Sequence, residues 1–240
     1  MIRNIKFLSL LLVFGCGEQE IIQIPLQGSL EGIVIGYGLE PIEGVTITIE
    51  GKDPLIVRTS DSNGKFTVDD LETGTYNLVY TKPGYGTFKM LGYSFVGGSI
   101  PAKLNTLMVE LPNVNIVGFN AQIEIDSYFG DAALNGSVLI EHLEQEYEEG
   151  HFRYYISNSP DVSPTQFKVT GLLDYYFSDV SSYDFSLPIK NLFPSGSTLY
   201  MVVYPVRGYE DYSYMDLSTG KQLFPAMNPQ GSEVLSFLVP

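Results

Sequence analysis

Acidic residues between positions 58 and 86 are the first group in this sequence whose types and spacing could do chemistry. Asp61, Asn63 and Glu72 occupy positions 1, 3 and 12 of a calcium-binding loop, in which side-chain oxygens hold the cation. Position 5 of that loop is Lys65, a cation where an oxygen ligand is required, and position 6 is Phe66, where glycine is required. The sequence therefore does not fit this type of calcium site.

The same stretch has the residues that β-turns require. Asn63-Gly64 is a strong signal for a short hairpin, because both residues accept a positive φ. Residues 74–76 (GTY) lead from a turn into a strand, and we expect the tyrosine ring to point inward. Asp69 and Asp70 remain candidates for a looser cation site at one end of a sandwich, but turns explain the stretch better.

The second group is the segment from His142 to His151, which holds both histidines of the chain and four glutamates. On a strand, His142, Glu144, Glu146 and Glu148 share one face, and a hairpin could bring His151 near them to bind zinc. The segment lacks the helical His-Glu-x-x-His spacing of metalloproteases. We favour a solvated acidic hairpin and keep a metal site at His142 and His151 as the alternative.

Other catalytic arrangements have little support. The chain has only two histidines and lacks the Gly-x-Ser-x-Gly turn of serine hydrolases. Its only cysteine, Cys16, ends an apolar N-terminal run, and no glycine-rich loop precedes a helix that could bind phosphate. We therefore expect a protein that is not an enzyme and that needs no cofactor.

A tyrosine-rich segment near the C-terminus could bind a partner. It contains Tyr209, Tyr212 and Tyr214 and runs on to Phe224. It lies between the last two predicted strands as a loop of about 25 residues, and loops of that length are usually functional or disordered. Because tyrosine offers contact area at low entropic cost, these four residues are the predicted partner-binding site. The alternative is a loop that folds its own aromatic side chains onto the sandwich edge.

Short strands are the elements that would position these groups. Apolar and polar side chains alternate in several short runs, and turn signals recur about every 8 to 15 residues. No stretch has a helical period, so the first half is predicted to be a β-sandwich. Its strands are expected at residues 30–35, 45–50, 66–68, 76–80, 88–90 and 107–111.

Five motifs of this half occur in order and at suitable spacing. They are GIV at 32–34, PIEGVTI at 41–47, TSDSNGKF at 59–66, LETGTY at 71–76 and KPGY at 82–85. With these motifs, residues 28–112 resemble the carboxypeptidase regulatory-like domain, a transthyretin-like β-sandwich. The resemblance implies a seven-stranded Greek key that accompanies enzymes, outer-membrane receptors and surface proteins of Bacteroidetes. It implies no catalytic residue.

The second half, residues 113–240, predicts another sandwich. Its strands are expected at residues 115–126, 137–143, 152–156, 183–189, 198–204 and 234–239, with Pro205 ending the fifth of them. The stretches HFRYYISNSPDVS and GSTLYMVVYPV resemble strands C and F of a fibronectin type III-like domain. The predicted fold class is therefore all-β, with two consecutive β-sandwich domains. The N-terminal one is a transthyretin-like Greek key and the C-terminal one is immunoglobulin/fibronectin-like.

The N-terminus has the pattern of an export signal. Arg3 and Lys6 precede an apolar run over residues 7–14, which is too short to span a bilayer as a helix. The sequence VFGC at 13–16 resembles a bacterial lipoprotein signal, which implies cleavage before Cys16 and lipid attachment to it. The alternative is an ordinary secretory signal that contains a cysteine.

The residues after the cysteine suggest a destination. GEQE at 17–20 resembles the surface-export signal of Bacteroidetes lipoproteins. We therefore predict a signal peptide at 1–15, a tether at 16–27 and an outer-membrane protein facing the cell surface or the periplasm. If lipid occupies the thiol, no disulfide can form, and the fold must rest on its cores.

The net charge of the chain excludes some classes of binding partner. Without Arg3 and Lys6, the mature chain has 11 basic and 28 acidic residues, a net charge of −17. This balance argues against binding to nucleic acid or to an anionic lipid surface. We expect a non-catalytic envelope lipoprotein that has a structural role or binds a protein or a glycan, although the absence of Trp makes carbohydrate less favoured. The alternative is an accessory subunit or small metallohydrolase that uses the segment from His142 to His151.

Overall fold

Strands joined by turns and loops make up the described part of the chain. The structure is a computed structural model, and it describes residues 26–125, 131–142, 151–173, 182–189, 192–207, 213–217 and 219–240. Over these ranges the chain has no helix of the length and apolar character needed to span a membrane. The predicted fold class, all-β with two consecutive β-sandwiches, is confirmed.

The first sandwich consists of two sheets. Its strands are β1 (Gln27–Ile35), β2 (Thr46–Glu50), β3 (Ile56–Thr59), β4 (Lys65–Glu72), β5 (Gly74–Thr81), β6 (Phe88–Phe95) and β7 (Gly98–Leu107). One sheet has the order β4-β1-β7 and the other has the order β3-β2-β5-β6. Strand β7 runs parallel to β1, whereas the other pairs are antiparallel.

The core of this sandwich lies between the two sheets. Ile47 and Ile49 of β2 and Leu78 and Tyr80 of β5 are fully buried. The ring of Phe66, on β4 in the opposite sheet, meets the Tyr80 ring edge to face, with centroids 6.1 Å apart. The alternation seen in the sequence follows from this arrangement, because each strand buries only one of its faces.

The corner between β4 and β5 explains the LETGTY motif. Tyr76 points inward, as predicted, and its hydroxyl donates to the carbonyl oxygen of Glu72 at 2.9 Å. A Cβ at Gly74 would lie 3.0 Å from that hydroxyl. Glycine therefore leaves room for the tyrosine at this corner.

The turn at Asn63-Gly64 differs from the predicted hairpin. Only Gly64 has a positive φ, of +70°, and its amide donates to the carbonyl oxygen of Asp61 at 2.8 Å. The turn connects β3 to β4, which belong to different sheets. The prediction of a hairpin was wrong because a turn sequence does not specify whether its flanking strands pair.

Two strand predictions in this half were also wrong. The last strand is β7 rather than residues 107–111, and β3 was not predicted at all. Both β3 and β7 lie at sheet edges, β3 is mostly exposed, and a bulge interrupts β7 near its start. Edge strands with this exposure do not show the clean alternation that identifies a half-buried strand.

The second sandwich has the strand order of a fibronectin type III domain. Its elements are β8 (Val114–Ile125), β9 (Ala132–His142), β10 (His151–Ser157), β11 (Val169–Leu173), β12 (Ser182–Pro188), β13 (Thr198–Val206), β14 (Tyr214–Asp216), β15 (Lys221–Leu223) and β16 (Leu235–Leu238). The sheets have the orders β12-β9-β8 and β11-β10-β13-β16, and β14 pairs with β15. Strands β10 and β13 are the central neighbours that correspond to C and F, as the two quoted stretches predicted.

Aromatic and aliphatic side chains fill the space between these sheets. Phe152 of β10 packs against Tyr183 of β12 with ring centroids 5.4 Å apart, and Phe119 stacks on Phe185 at 6.1 Å. The remaining buried members include Val114, Leu134, Val138, Ile156, Leu199, Met201 and Val203.

Several details of the second half correct the sequence predictions. Strand β9 begins at Ala132 instead of residue 137, and β11 was missed. The loop of about 25 residues is not structureless, because the hairpin of β14 and β15 lies within it. Pro205 lies inside β13 rather than after it. Proline has no N–H to donate to a neighbouring strand. Strand β16 pairs with β13 only as far as Met201, so Pro205 does not interrupt the pairing of these two strands.

The two sandwiches meet at the end of the first one that is remote from residue 26. The Tyr85 hydroxyl donates to Glu110 at 2.9 Å, and Arg207 of the second sandwich donates to the other oxygen of the same carboxylate at 2.6 Å. A Cβ at Gly86 would lie 2.2 Å from the carbonyl oxygen of Pro225, and β14 packs against β6. Backbone contact and a shared carboxylate therefore join the domains.

Candidate functional site

The predicted partner-binding residues separate into two groups. Tyr209 and Tyr212 lie outside the described residues, as does the predicted lipidation site Cys16. Tyr214 begins β14 and is half-buried, and burial together with nearby Asp216 raises the pKa of its phenol. The tyrosine-rich segment is thus in part a strand that contacts the first sandwich.

Phe224 lies on the outer face of the four-stranded sheet of the second sandwich. The guanidinium carbon of the buried Arg153 lies 3.4 Å from the centre of the Phe224 ring, which is a cation–π contact. Nearby, the Lys221 ammonium lies 4.7 Å from the ring centre of Phe167, and the Tyr155 hydroxyl lies 3.6 Å from the sulfur of Met227. The chain after residue 219 therefore covers this face with its own side chains.

The two histidines end up on different sheets. His142 is the last residue of β9, which pairs with β8 and β12, and His151 is the first residue of β10, which pairs with β11 and β13. Strands β9 and β10 therefore do not pair with each other. The residues between them, 143–150, which include Glu144, Glu146 and Glu148, lie outside the described residues, so the acidic hairpin stays a prediction. His151 is buried, and the described residues contain no group of three His, Cys, Asp or Glu side chains placed to hold a metal.

Three of the four acidic residues of the 58–86 stretch bind neighbouring groups. One carboxylate oxygen of Asp61 accepts from the amides of Asn63 and Lys65, both at 2.8 Å. Asp69 accepts from the Ser29 hydroxyl at 2.9 Å, and Glu72 forms an ion pair with Lys52. Asp61 thus stabilises the turn, and the carboxylates of Asp69 and Glu72 bind a neighbouring strand and a neighbouring loop.

A different surface, on the three-stranded sheet of the second sandwich, brings polar side chains together. Strand pairing aligns Asn120 of β8 with Ser137 of β9 and Asp184 of β12. Two residues further along, Gln122 is opposite Asn135. We call these five residues the polar face. They lie around an open depression of about 500 Å³ on the outer side of the sheet.

Hydrogen bonds order this polar face. The Asn120 amide donates to the Ser137 hydroxyl at 2.8 Å. Gln122 and Asn135 donate to the two oxygens of Glu124, each at 2.6 Å. Side chains held in this way lose less conformational freedom when a ligand arrives.

Close approach of the strands shapes the floor of the depression. A Cβ at Gly136 would lie 2.1 Å from the carbonyl oxygen of Asn120 and 2.7 Å from Ala121, so β8 and β9 can pair here only if this residue is glycine. Strands in a sheet lie about 4.7–4.9 Å apart, so the three strands present a polar surface about 10 Å wide.

The chemistry of the polar face suits an uncharged ligand rich in hydroxyl groups. Amides donate and accept, a serine hydroxyl does both, and a carboxylate accepts. The described residues that line the depression include no lysine or arginine. Among the described residues that line the depression, the one aromatic ring is that of Phe185, which points into the core.

The polar face was not predicted from the sequence. The alternation of Asn120, Gln122 and Glu124 with apolar residues was visible and served only to predict a strand. The signal that could have identified it is the choice of amides on the exposed positions. Its partners on β9 and β12 could not be matched to them without knowing the register.

Comparisons with known proteins identify the first sandwich. Residues 29–98 match the family model of the carboxypeptidase regulatory-like domain. The chain therefore contains a domain of this family, as its five motifs predicted. No curated protein matches the chain.

Solved structures resemble the chain weakly along most of its length. One is from Bacteroides uniformis and is named as a proposed carbohydrate-binding protein, with 10% identity and a TM-score of 0.35. Another is a DUF3823 family protein from Parabacteroides merdae, with 14% identity and a TM-score of 0.35. The alignments cover 89% of this chain and 100% of each of those chains. The major pilin subunit of Bacillus cereus has 14% identity and a TM-score of 0.34, covering 89% of this chain and 69% of the pilin.

Proposed function

We propose that this protein is a non-catalytic, lipid-anchored binding protein of the bacterial envelope whose second sandwich binds a neutral glycan. The observation that carries the proposal is the polar face on β8, β9 and β12. Its amides, hydroxyl and carboxylate match the hydroxyl groups of a sugar, which donate and accept hydrogen bonds at adjacent carbons. The net charge of −17 favours an uncharged ligand over an anionic one.

The anchor is supported by the sequence around Cys16. A basic start, an apolar run and VFGC at 13–16 precede an acidic stretch. Growth of the expressing bacterium with labelled palmitate should label the wild-type protein and leave a Cys16→Ser variant unlabelled. Label retained in the variant would contradict lipidation at this residue, and protease treatment of intact cells would determine which side the protein faces.

Affinity electrophoresis through gels that contain neutral polysaccharides tests glycan binding. A panel of starch, xylan, mannan and β-glucan covers different hydroxyl geometries. We expect at least one polysaccharide to retard the wild-type protein. Replacing Asn120 and Gln122 together by Ala should weaken binding about tenfold or more, because each hydrogen bond contributes roughly 0.5–1.5 kcal/mol.

Asn105→Ala is the matched control for this test. Asn105 is an exposed amide on the outer face of the first sandwich, beside another depression that contains Lys65 and Lys103. This variant should be retarded like the wild type. The proposal fails if no neutral polysaccharide retards the protein, or if the double variant is retarded as strongly as the wild type.

The alternative, a metal-dependent hydrolase that uses the segment between His142 and His151, makes a separate prediction. Elemental analysis of the purified full chain would then find stoichiometric zinc, and His151→Ala would remove it. Under the proposal of a non-catalytic binding protein, no bound zinc is expected.

A further inference from the structure

Four exposed apolar side chains mark one end of the first sandwich. Leu26 and Leu55 are each 59% exposed, Val96 is 73% exposed and Ile100 is 84% exposed. We call these four residues the apolar tip. Single exposed apolar residues are common on soluble proteins, but a group of them at one end of a domain indicates an interaction surface.

The four residues of the apolar tip lie at the same end of the first sandwich because of the directions in which its strands run. Leu26 directly precedes β1, Leu55 ends the loop after β2, and Val96 lies between β6 and β7. A Cβ at Gly97 would lie 2.9 Å from the carbonyl oxygen of Leu26, so these two segments are in contact. Ile100 lies next to them, where the pairing of β7 with β1 is interrupted by a bulge.

The second sandwich is attached at the opposite end. Strand β1 runs from the apolar tip to the domain junction and has nine residues, which corresponds to a length of about 30 Å. The junction residues Gly86, Glu110 and Arg207 lie at that far end. The second sandwich therefore does not cover the apolar tip.

The tether determines which surface the tip can meet. Cys16 precedes Leu26 by ten residues, which span at most about 35 Å when fully extended. If lipid holds Cys16 in a bilayer, as the proposed function states, the end of the domain that lies near that bilayer is the apolar tip. The second sandwich is then held about one domain length further out.

The charge of the protein indicates which kind of lipid surface the apolar tip could contact. Lys52 lies in the same loop as Leu55 and pairs with Glu72, and the exposed Asp53 of that loop adds a negative charge beside the tip. The strongly negative chain is repelled by anionic lipids. A zwitterionic interface accepts apolar side chains at the boundary of headgroups and acyl chains without that repulsion.

We propose that the apolar tip inserts into the zwitterionic interface of the membrane that anchors Cys16, and that this contact orients the second sandwich and its polar face away from the bilayer. The inference rests on the proposed lipid anchor. It does not depend on which glycan, if any, the polar face binds.

Site-specific fluorescence on the full, lipidated chain tests this inference. Because Cys16 is the only cysteine and its thiol carries lipid, Val96→Cys and Leu217→Cys each provide one site for an environment-sensitive dye. Leu217 is the matched control, since it is 71% exposed and lies in the second sandwich. Both proteins are reconstituted in phosphatidylcholine vesicles that contain nitroxide-labelled lipid, and flotation confirms attachment.

We expect the nitroxide lipid to lower the fluorescence of the dye at position 96 about twofold and to leave the dye at 217 unchanged. Replacing part of the phosphatidylcholine by phosphatidylglycerol should not increase the quenching. An attached protein with no quenching at 96, or with equal quenching at both positions, overturns the inference and leaves the anchor intact.

Two further outcomes also overturn it. Protein that does not float with the vesicles lacks the anchor, so the inference and the anchoring part of the proposed function fail together. A blue-shifted dye at position 96 in the soluble Cys16→Ser variant, with no quenching in vesicles, would mean that the chain's own segment before Leu26 covers the tip.

Discussion

Glycines with a positive φ occur in turns of the first sandwich, and the space around each glycine determines whether a larger side chain fits there. Gly64 and Gly44 have φ angles of +70° and +74°. A Cβ at Gly64 would lie 2.3 Å from the carbonyl oxygen of Val34, whereas one at Gly44 would have no neighbour within 4 Å. The two positions share a conformation and differ only in packing.

We expect Gly64→Ala to destabilise the protein more than Gly44→Ala. The left-handed conformation costs an alanine about 1–2 kcal/mol at either position. At Gly64 the new methyl group also collides with the strand whose Val34 amide donates to the Gly64 carbonyl oxygen at 2.8 Å. Urea unfolding of both variants measures the difference, and equal losses would contradict the role of the contact.

Ionisation of Tyr80 makes the stability of the first sandwich depend on pH. It is fully buried, and burial raises the pKa of its phenol to about 12, although the nearby Thr106 hydroxyl offsets part of the rise. Because the folded pKa lies above the unfolded value of about 10, the neutral phenol stabilises the fold fully below pH 10. This stabilisation is lost as pH rises from 10 towards 12.

The unfolding free energy should therefore fall over this pH range, by roughly 2–3 kcal/mol from Tyr80 alone. Burial and the Glu110 carboxylate raise the pKa of Tyr85 to about 12 as well, with the same sign of effect. Urea midpoints measured from pH 8 to 11.5 test this for the wild type and for Tyr80→Phe. The variant should show a shallower decline, and two parallel curves would argue against Tyr80 as a source.

At the scale of elements, a buried serine joins two connections of the first sandwich. The Ser60 hydroxyl donates to the carbonyl oxygen of Ile42 at 2.7 Å and accepts from the Val45 amide at 2.9 Å. Ser60 is only 4% exposed, so these backbone groups have no easy access to water. The loop before β2 is thereby fixed to the turn after β3.

Ser60→Ala should lower the unfolding free energy by about 1–3 kcal/mol, because it leaves buried backbone groups without their partner. Ser62→Ala is the control, since Ser62 is exposed in the same turn and its loss should change stability by no more than about 0.5 kcal/mol. Denaturant unfolding compares the two. Equal stability of both variants would mean that water replaces the Ser60 hydroxyl.

At the scale of the whole molecule, the junction decides where the second sandwich points. The carboxylate of Glu110 accepts from Tyr85 and from Arg207, and backbone of residues 225–226 lies against Gly86. Exposed ion pairs contribute little stability, but a carboxylate shared by both domains also restricts their relative rotation. The junction therefore determines the direction in which the polar face is presented.

Gly86→Ala should loosen this junction and leave both cores intact. Its methyl group would lie 2.2 Å from the Pro225 carbonyl oxygen and 2.9 Å from the Ala226 nitrogen, so the second sandwich has to move. Small-angle X-ray scattering should show a changed or broadened arrangement of the two domains. Gly118→Ala, whose methyl group would make only side-chain contacts at 3.4 Å or more, should match the wild type. A wild-type scattering curve for Gly86→Ala would rule out a tight junction.

Whether a candidate site could be predicted from the sequence depended on how far apart its residues lie in the chain. The turn that Asp61 stabilises was predictable, because its partners lie within four residues. The contact of Phe224 with Arg153 was not, since 71 positions separate them in the chain. Cys16, Tyr209 and Tyr212 lie outside the described residues and stay predictions.

The sequence by itself determined that the chain is all-β, where its central strands run and which faces they bury. That information is local, because alternation and turn glycines act within a few residues of one another. Only the tertiary structure decided that β9 and β10 belong to different sheets, so that the two histidines lie on different sheets. It also decided that Asn120, Ser137 and Asp184 lie side by side. Pairing and register depend on contacts between distant segments, and a shift of one residue would turn each polar side chain of a strand to the opposite face.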